Sequence, residues 1–171
     1  MTKAVFLDRD GVINDGSLYY TYKIEDFHFN EGLFDGLKML RDAGFIFIVI
    51  TNQAGVAKGL YTDDDVKKLH AYMCDELKKQ GINIAAVYYC PHYPEISGPC
   101  ECRKPGTLLI EKAIKEFDID REKSFLIGDG SRDIEAATRA GITGIKIEKN
   151  ESIVPYCKKI CRKENEPCSL K

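Results

Sequence analysis

Short runs of consecutive apolar residues alternate with longer amphipathic stretches along almost the whole chain. Five of these runs predict β-strands, over residues 4–7, 46–50, 85–89, 124–127 and 144–147. Most of the five are continuously apolar rather than alternating in polarity, which is typical of strands buried on both faces of a parallel sheet. The pattern therefore favours helices on both sides of a single sheet.

Between the predicted strands, apolar residues recur with the spacing of amphipathic helices. The clearest helix follows Thr62, whose hydroxyl suits an N-cap position. Its apolar stripe repeats every three or four residues and comprises Val66, Leu69, Met73 and Leu77. Gly81 ends this helix, and further helices are predicted over residues 33–40, 109–117 and 133–140.

The order of these elements predicts an α/β fold with a doubly wound, mostly parallel, Rossmann-like sheet. Residues 1–150 are expected to form one domain, and residues 151–171 a weakly patterned C-terminal tail. In a sheet of this kind, a ligand binds beyond the carboxyl ends of the strands. The residues that follow each predicted strand are therefore the first candidates for function.

Charged or hydroxyl-bearing side chains are expected at the rim after every predicted strand except the last. The first strand leads into Asp8-Arg9-Asp10-Gly11 and the second into Thr51-Asn52-Gln53. The third is followed by a cysteine-containing loop and Arg103-Lys104-Pro105, and the fourth by Gly128-Asp129 and then Asp133. Because parallel strands end at one edge of a sheet, these groups are expected to share one rim.

Composition and charge narrow the function classes. The chain of 171 residues contains 25 Lys and Arg and 27 Asp and Glu, for a formal net charge of −2. This balance gives no electrostatic reason to expect nucleic acid or an anionic membrane as a partner. The longest apolar stretch, residues 45–50, is too short to span a bilayer, and no basic leader precedes the first strand. We expect a cytoplasmic protein, and a monomer, because no assembly motif is evident.

Two carboxylates, Asp8 and Asp10, stand two residues apart directly after a buried strand. Crowded carboxylates repel each other unless a cation neutralises them, and with Asp129 they offer the hard oxygen ligands that Mg²⁺ prefers. Lys104 and the hydroxyl of Thr51 would then hold phosphate oxygens. An isolated pair of this spacing is more often a turn or a helix cap, but the other three residues in register argue against that interpretation.

Four segments carry a resemblance to the haloacid dehalogenase (HAD) superfamily, and together they span residues 3–147. They are Phe6 to Asn14, Val49 to Gln53, Cys102 to Pro105 and Ile127 to Asp129. The resemblance implies that Asp8 is a nucleophile that forms an aspartyl-phosphate and that Asp10 is the general acid and base. It also implies Mg²⁺ binding by Asp129, the Asp8 side chain and the Asp10 carbonyl, with Asp133 in support, and phosphate binding by Thr51, Asn52, Gln53 and Lys104.

A second group of potential metal ligands lies in the loop of residues 90–102. Cys90, His92, Cys100 and Cys102 form two closely spaced pairs, and three thiolates with one imidazole suit a structural Zn²⁺ site. Prolines and glycines make this loop a poor helix or strand, so a bound metal would be a source of order. The alternative is a set of reduced thiols in a loop that happens to contain a histidine.

Within the superfamily, this loop resembles the compact branch of heptose 1,7-bisphosphate 7-phosphatases and histidinol-phosphate phosphatases. The sequences around Thr51 and Cys90 are closer to the heptose enzymes, which implies removal of the C7 phosphate during nucleotide-heptose and lipopolysaccharide biosynthesis. Arg103 would then meet the distal C1 phosphate. Gly130 departs from the branch, where a lysine is common. The alternatives are histidinol phosphate as substrate and, in another class, a catalytically idle zinc-binding module.

Several other polar residues are expected to have lesser roles. His28 and His70 are interpreted as surface or half-buried structural residues, and Cys74 as a small apolar residue beside the core. Tyr19, Tyr20 and Tyr22 follow the first catalytic loop, where they would either close over a substrate or only pack. Three cysteines near the C-terminus remain unassigned: Cys157, Cys161 and Cys168.

Overall fold

Five parallel strands form one sheet in the computed structural model, which describes residues 1–165. The strands are β1 (Ala4–Leu7), β2 (Ile46–Asn52), β3 (Ile84–Cys90), β4 (Phe125–Gly128) and β5 (Thr143–Lys146). Their order across the sheet is β3-β2-β1-β4-β5, which places β1 at the centre. The predicted doubly wound α/β fold is confirmed, and each predicted strand lies within two residues of its expected bounds.

Helices connect the strands and cover both faces of the sheet. They are α1 (Leu33–Asp42), α2 (Asp63–Lys79), α3 (Pro94–Ser97), α4 (Leu108–Phe117), α5 (Ser131–Arg139) and α6 (Val154–Asn165), with a short 3₁₀ turn at Ile24–Asp26. Thr62 caps α2 as predicted, since its hydroxyl accepts the Asp65 N–H at 3.2 Å while its own N–H donates to the Asp65 carboxylate at 2.8 Å. No helix in the described part of the chain is long and apolar enough to cross a membrane.

The residues of the central strand β1 are all apolar because both faces of the strand are buried. Val5 and Leu7 belong to the core on one face of the sheet, together with residues of α1, α2 and α6. Ala4 and Phe6 belong to a second core on the opposite face, beneath α4 and α5. All four are fully buried, so the strand has no polar face and reads as a continuous apolar run.

The helix α6 was not predicted from the sequence, and it lies beyond the expected domain boundary at residue 150. Ile153, Cys157 and Ile160 are buried against the core, at a spacing of four and three residues. Gly36 of α1 permits this packing, because a Cβ at that position would lie 2.7 Å from Ile153 and 3.0 Å from Cys157. The part of the tail from residue 154 to residue 165 is therefore helical, whereas Cys168 lies outside the described residues.

Candidate active site

The carboxyl ends of the strands surround a cavity of about 430 Å³. Asp8 follows the central strand, and its N–H donates to the carbonyl of Ile127 in the neighbouring strand at 3.0 Å. Thr51 lies at the end of β2, on the other side of β1, and Asp129 follows β4. All three residues line the cavity, whose volume is in the usual range for small-molecule sites. The topology thus brings together residues that are far apart in the sequence.

Lys104 connects two carboxylates at the floor of this cavity. Its ammonium group donates to Asp8 Oδ1 at 2.8 Å and to the carbonyl of Ile50 at 2.7 Å, and it pairs with Asp133 Oδ1 at 2.6 Å. Lys104 is only 3 % exposed, so these bonds are shielded from solvent. The Asp8 Oδ1 atom also accepts the Arg9 N–H at 2.8 Å, which leaves Oδ2 without a hydrogen bond in the described part of the chain.

The charged groups around Lys104 shift one another's pKa values. Burial raises the pKa of Asp8 to about 7, against the attraction of Lys104 and with the repulsion of Asp133. Burial and the charge of Asp133 also raise the pKa of Asp129, while Lys149 opposes that rise. Burial alone would lower the pKa of Lys104, but Asp8 and Asp133 raise it. One cation thus stands among three carboxyl groups, and a further cation would stabilise their ionised forms.

The carboxylates of Asp8, Asp129 and Asp133 form a group of potential metal ligands. One oxygen atom of each lies within 4.8 Å of the others. Three hard oxygen donors at the edge of an open cavity fit Mg²⁺, which retains water and substrate oxygens as its other ligands. The Asp10 side chain is not part of this group, and metal binding by the Asp10 carbonyl stays a prediction.

The Asp10 carboxylate is held instead by three side chains. Arg9 donates to it at 2.9 and 3.1 Å, Asn14 at 3.0 Å and Gln53 at 3.1 Å. Arg9 is completely buried, and it also donates to the carbonyl of Thr21 at 2.5 Å. No role was predicted for Arg9 from the sequence, although its position between two aspartates was a signal for a charge partner.

His70 lies behind Arg9 and is buried, so the expectation of a surface or half-buried histidine was wrong. Its Nε2 lies 3.2 Å from an Arg9 Nη1 atom, and because arginine only donates, Nε2 is the acceptor and the imidazole is neutral. Burial and the Arg9 charge lower the pKa of His70 to about 3. The available signal was its place beside Leu69 on the apolar stripe of α2.

The three residues at the end of β2 hold neighbouring parts of the site. Asn52 accepts the Lys104 N–H at 3.0 Å and donates to the Lys104 carbonyl at 3.3 Å. Gln53 donates to Thr51 Oγ1 at 2.9 Å and accepts from the hydroxyl of Tyr61 at 2.7 Å. Asn52 therefore fixes the lysine backbone, and Gln53 links Thr51 to Asp10. Tyr61 was not identified from the sequence.

The four predicted zinc ligands converge in the loop between β3 and α4. Cys102 Sγ lies 2.9 Å from Cys90 Sγ, 3.5 Å from Cys100 Sγ and 3.2 Å from His92 Nδ1. One ligand atom of each residue lies within 4.8 Å of the others, and none of the three cysteines forms a disulfide. This cluster could hold a metal ion, and three sulfurs with one nitrogen are a set that suits Zn²⁺.

The pKa values of the thiols in this cluster are shifted in opposite directions. Burial and a bond to Cys102 raise the pKa of Cys90. Burial also acts to raise the pKa of Cys100, but hydrogen bonds from the Arg103 backbone and the neighbouring thiols lower it to about 7.

Contrary to the expectation of a loop without helix, Pro94–Ser97 forms the single turn α3, where proline occupies the first position and needs no N–H partner.

The loop that carries this cluster also delivers Tyr93 and Arg103 to the cavity. The Tyr93 ring lies 4.0 Å from the Lys58 ammonium group and 5.7 Å from the Arg103 guanidinium carbon. Arg103 also donates to the carbonyl of the metal-ligand candidate His92 at 3.4 Å. Lys58 and Tyr93 were missed from the sequence, and together with Arg103 they form a basic edge of the site.

The tyrosines after the first catalytic loop divide into two roles. Tyr22 stacks on Tyr61 at 4.9 Å, which is a packing role. Tyr19 and Tyr20 line the cavity, and Tyr19 is 87 % exposed. Tyr19 and Tyr20 therefore form part of the cavity wall.

The end of β5 contributes to the rim, contrary to the expectation that the last strand would deliver nothing. Lys149 lines the cavity beside Asp129. The next residue, Asn150, donates its backbone N–H to the carbonyl of Gly11 at 2.8 Å. Lys149 and Asn150 were not predicted from the sequence, because the apolar run ends before them without a recognisable motif.

A parallel α/β sheet with a carboxylate–lysine cluster beyond its central strand defines the class of HAD-like hydrolases. The HAD-hydrolase-like family model matches residues 101–158. The D-glycero-alpha-D-manno-heptose-1,7-bisphosphate 7-phosphatase of Photorhabdus laumondii is 46% identical over 145 residues, which cover 82% of this chain and 79% of the relative. The chain belongs to the family of heptose-1,7-bisphosphate 7-phosphatases within that class.

Relatives that act on either anomer are similar to the chain. The D-glycero-beta-D-manno-heptose-1,7-bisphosphate 7-phosphatase of Haemophilus ducreyi is 41% identical over 145 residues, which cover 82% of this chain and 79% of the relative. A solved D,D-heptose 1,7-bisphosphate phosphatase from B. bronchiseptica, complexed with magnesium and phosphate, matches with a TM-score of 0.80 and 26% identity. That match covers 99% of this chain and 91% of the other. These relatives do not favour histidinol phosphate.

Proposed function

We propose that the protein removes the C7 phosphate of D-glycero-D-manno-heptose 1,7-bisphosphate and leaves the C1 phosphate in place. The observation that carries this proposal is the Lys104 ammonium group between Asp8 and Asp133, beside Asp129, in a chain of this family. That cluster provides an aspartate nucleophile and the charges that a transferring phosphate requires. The product would be a heptose 1-phosphate, which suits the synthesis of nucleotide-heptose for surface polysaccharide.

In the first half of the reaction, Asp8 is the nucleophile. Its Oδ2 atom attacks phosphorus, the bond between phosphorus and the C7 oxygen breaks, and an aspartyl-phosphate forms on Asp8. Lys104 holds Oδ1 and so orients the carboxylate, while its positive charge attracts the phosphate oxygens and the buried hydroxyl of Thr51 donates to one of them. Burial raises the pKa of Asp8 to about 7, so the positive charges around it are needed to keep it ionised near neutral pH.

Asp10 carries the proton in both halves of the reaction. Its carboxylic acid first donates a proton to the departing C7 oxygen, and its carboxylate then takes a proton from the water that attacks the aspartyl-phosphate. This second step releases inorganic phosphate and restores both aspartates. The bonds from Arg9, Asn14 and Gln53 fix the direction of the carboxylate for the two transfers.

Asp8, Asp129 and Asp133, with the Asp10 carbonyl, would hold Mg²⁺ in this site. The ion when bound would neutralise charge on the phosphate and favour the ionised form of the nucleophile. The magnesium and phosphate of the similar B. bronchiseptica structure support this assignment. Zn²⁺ would be held by Cys90, His92, Cys100 and Cys102, where it would order the loop that carries Tyr93 and Arg103.

The distal C1 phosphate is assigned to the basic edge formed by Arg103 and Lys58. Both cations lie against the Tyr93 ring, which limits their freedom and leaves their charged groups at the cavity. A guanidinium suits a phosphate because it offers parallel donors. A substrate with a single phosphate lacks this contact, so the edge would favour the bisphosphate. That the protein acts as a monomer in the cytoplasm remains a prediction.

The decisive experiment measures phosphate release, with Mg²⁺ present, from both anomers of the heptose bisphosphate and from histidinol phosphate. We expect a heptose anomer to be hydrolysed with the highest kcat/KM. Arg103→Met should lower that value about 10- to 100-fold while changing hydrolysis of p-nitrophenyl phosphate less than threefold. Arg139→Met, which changes an exposed arginine on α5, is the matched control. Faster hydrolysis of histidinol phosphate would overturn the substrate assignment.

A further inference from the structure

The cavity has a second basic edge on the side opposite Arg103. In the sheet order β3-β2-β1-β4-β5, Arg103 follows the loop after β3 at one end, whereas Lys149 follows β5 at the other. Asp8 follows the central strand, so the two cations flank it from opposite directions. Lys149 and Arg132 both line the cavity on the β5 side, next to Asp129.

Lys149 is held close to the metal-ligand candidates by its backbone. Gly11 has a φ of +87°, and a Cβ at that position would overlap Asp129 Oδ2 and lie 3.3 Å from Lys149 Cγ. The lysine chain therefore passes over Gly11, directly after Asp10 in the sequence. A side chain at residue 11 would obstruct both neighbours, so the absence of a Cβ is what permits this approach.

The neighbouring Asn150 ties the β5 loop to the segment of residues 15–17. Its Oδ1 accepts the Gly16 N–H at 2.8 Å, and its Nδ2 donates to Asp15 at 2.7 Å and to Ser17 at 3.2 Å. Its φ of +66° lies in the left-handed region, which asparagine tolerates better than most residues. Two chain segments thus fix the backbone from which Lys149 projects.

The ammonium group of Lys149 has no close ionic partner among residues 1–162, whose side chains the structure describes. No carboxylate of those residues lies within 4.0 Å of it, yet its charge acts on Asp129 and opposes the rise of the pKa of that carboxyl group. A cation beside Asp129 that makes no direct salt bridge there is available to an anion that enters the cavity. A divalent cation at Asp129 would repel it and make such an anion more favourable.

We infer that Lys149 binds the phosphate group that is transferred, on the β5 side of the cavity, and that it does so at the expense of metal affinity in the empty site. This inference rests on the proposed function, because it requires a phosphate beside Asp129. The same charge should have opposite effects on the two ligands. It weakens the binding of Mg²⁺ alone and strengthens the binding of phosphate once Mg²⁺ is present.

The test uses calorimetric titration of the full-length, zinc-replete protein with Mg²⁺ alone, and then with inorganic phosphate at saturating Mg²⁺. Lys149→Met should bind Mg²⁺ about two- to fivefold more tightly, because a nearby positive charge is removed. It should bind inorganic phosphate about tenfold more weakly, because a charge-assisted bond is lost from an exposed site. Lys149→Arg should keep both affinities within about twofold of the wild type.

The matched control is Lys146→Met, which removes an exposed lysine of the same strand that does not line the cavity. Both of its affinities should remain those of the wild type. Unchanged phosphate binding in Lys149→Met, or weaker binding of both ligands, would overturn the inference. Failure of the heptose assignment would appear separately, as absence of heptose bisphosphate hydrolysis by the wild type, because these titrations use only Mg²⁺ and inorganic phosphate.

Discussion

The two clusters of potential metal ligands are built in opposite ways. The carboxylate cluster draws Asp8, Asp129 and Asp133 from the ends of two strands and the first turn of a helix, and Asp8 is remote in the sequence from the other two. The Cys/His cluster takes all four ligands from residues 90–102. The first is placed by a sheet with two apolar cores, whereas the second lies in a loop that contains only one helical turn.

From this difference we expect that the two clusters would depend on a bound ion in different ways. In the carboxylate cluster, Lys104 already neutralises part of the charge, so the ligands are held in position by the fold. In the Cys/His cluster, the described residues provide thiols and an imidazole but no fixed cation among the ligands. Metal removal should therefore disable the chemistry at the first cluster and disorder the loop at the second. The following experiments test that contrast, from the largest expected effect to the smallest.

Asp8→Asn should remove the chemistry and leave the fold intact. The amide cannot act as a nucleophile, so kcat for any phosphomonoester should fall at least about 1,000-fold. The sheet does not depend on the charge, and circular dichroism should match the wild type. Asp42→Asn, an exposed change at the end of α1, provides the comparison. Retention of a tenth of the wild-type kcat would exclude Asp8 as the nucleophile.

Lys104→Met should show how far the first cluster depends on its internal cation. Without the ammonium group, buried Asp8 and Asp133 face each other unpaired, so we expect a loss of about 3–5 kcal/mol in the free energy of unfolding in Mg²⁺-free buffer. Urea denaturation measures this loss, and saturating Mg²⁺ should restore part of it. Lys115→Met, at an exposed position of α4, should change stability by less than about 1 kcal/mol. Equal instability with and without Mg²⁺ would contradict this explanation.

Cys102→Ser should affect the loop and its substrate contacts rather than the nucleophile. We expect reduced zinc content by elemental analysis and a fall of about 10- to 100-fold in kcat/KM for the heptose bisphosphate, because Tyr93 and Arg103 lose their support. Hydrolysis of p-nitrophenyl phosphate should fall less than threefold, since Asp8 lies on the sheet. Cys74→Ser changes a partly buried cysteine outside the cluster and should leave the zinc content unchanged. Equal losses with both substrates would refute the separation of the two regions.

His70, which lies behind Arg9 next to the carboxylate cluster, should make the stability of the folded protein depend on pH in the acidic range. Its pKa is lowered from about 6.5 to about 3, so between these values the unfolded chain binds more protons than the folded one, and stability falls as the pH decreases. From pH 6.5 to 5, His70 should account for about 2 kcal/mol of that loss. Urea titrations at the two pH values should show a smaller loss in His70→Gln than in the wild type. His28→Gln is the control and should lose as much stability between the two pH values as the wild type. An equal loss in His70→Gln would exclude His70 as the cause.

Much of the fold and part of the candidate site follow from local sequence. The strand β1 is continuously apolar because both of its faces are buried, and this pattern is visible without the structure. Asp8, Thr51 and Asp129 could be grouped because each lies at or after a strand end, and parallel strands end at one edge. The cysteine ligands could be grouped because their spacing is short. In each case, a local sequence pattern and one general rule are enough to predict which residues lie close together.

The residues that were missed depend on contacts that no local pattern encodes. Helix α6 was overlooked because its apolar residues are separated by lysines and cysteines, and only Gly36 on α1 reveals the close packing that buries them. His70 is neutral because the buried Arg9 reaches it from a loop more than sixty residues earlier. Such pairings arise only when the chain has folded back on itself.

The sequence by itself determined the parallel sheet, the four ligands of the Cys/His loop and the strand ends that carry the carboxylates. It did so because strand burial and ligand spacing are properties of neighbouring residues. The tertiary structure alone decided that Lys104 joins Asp8 to Asp133, that Lys58 and Arg103 share the Tyr93 ring, and that Lys149 passes over Gly11 toward Asp129. These contacts depend on distances between segments remote in the chain, which are fixed by the packing of the helices and loops around the sheet.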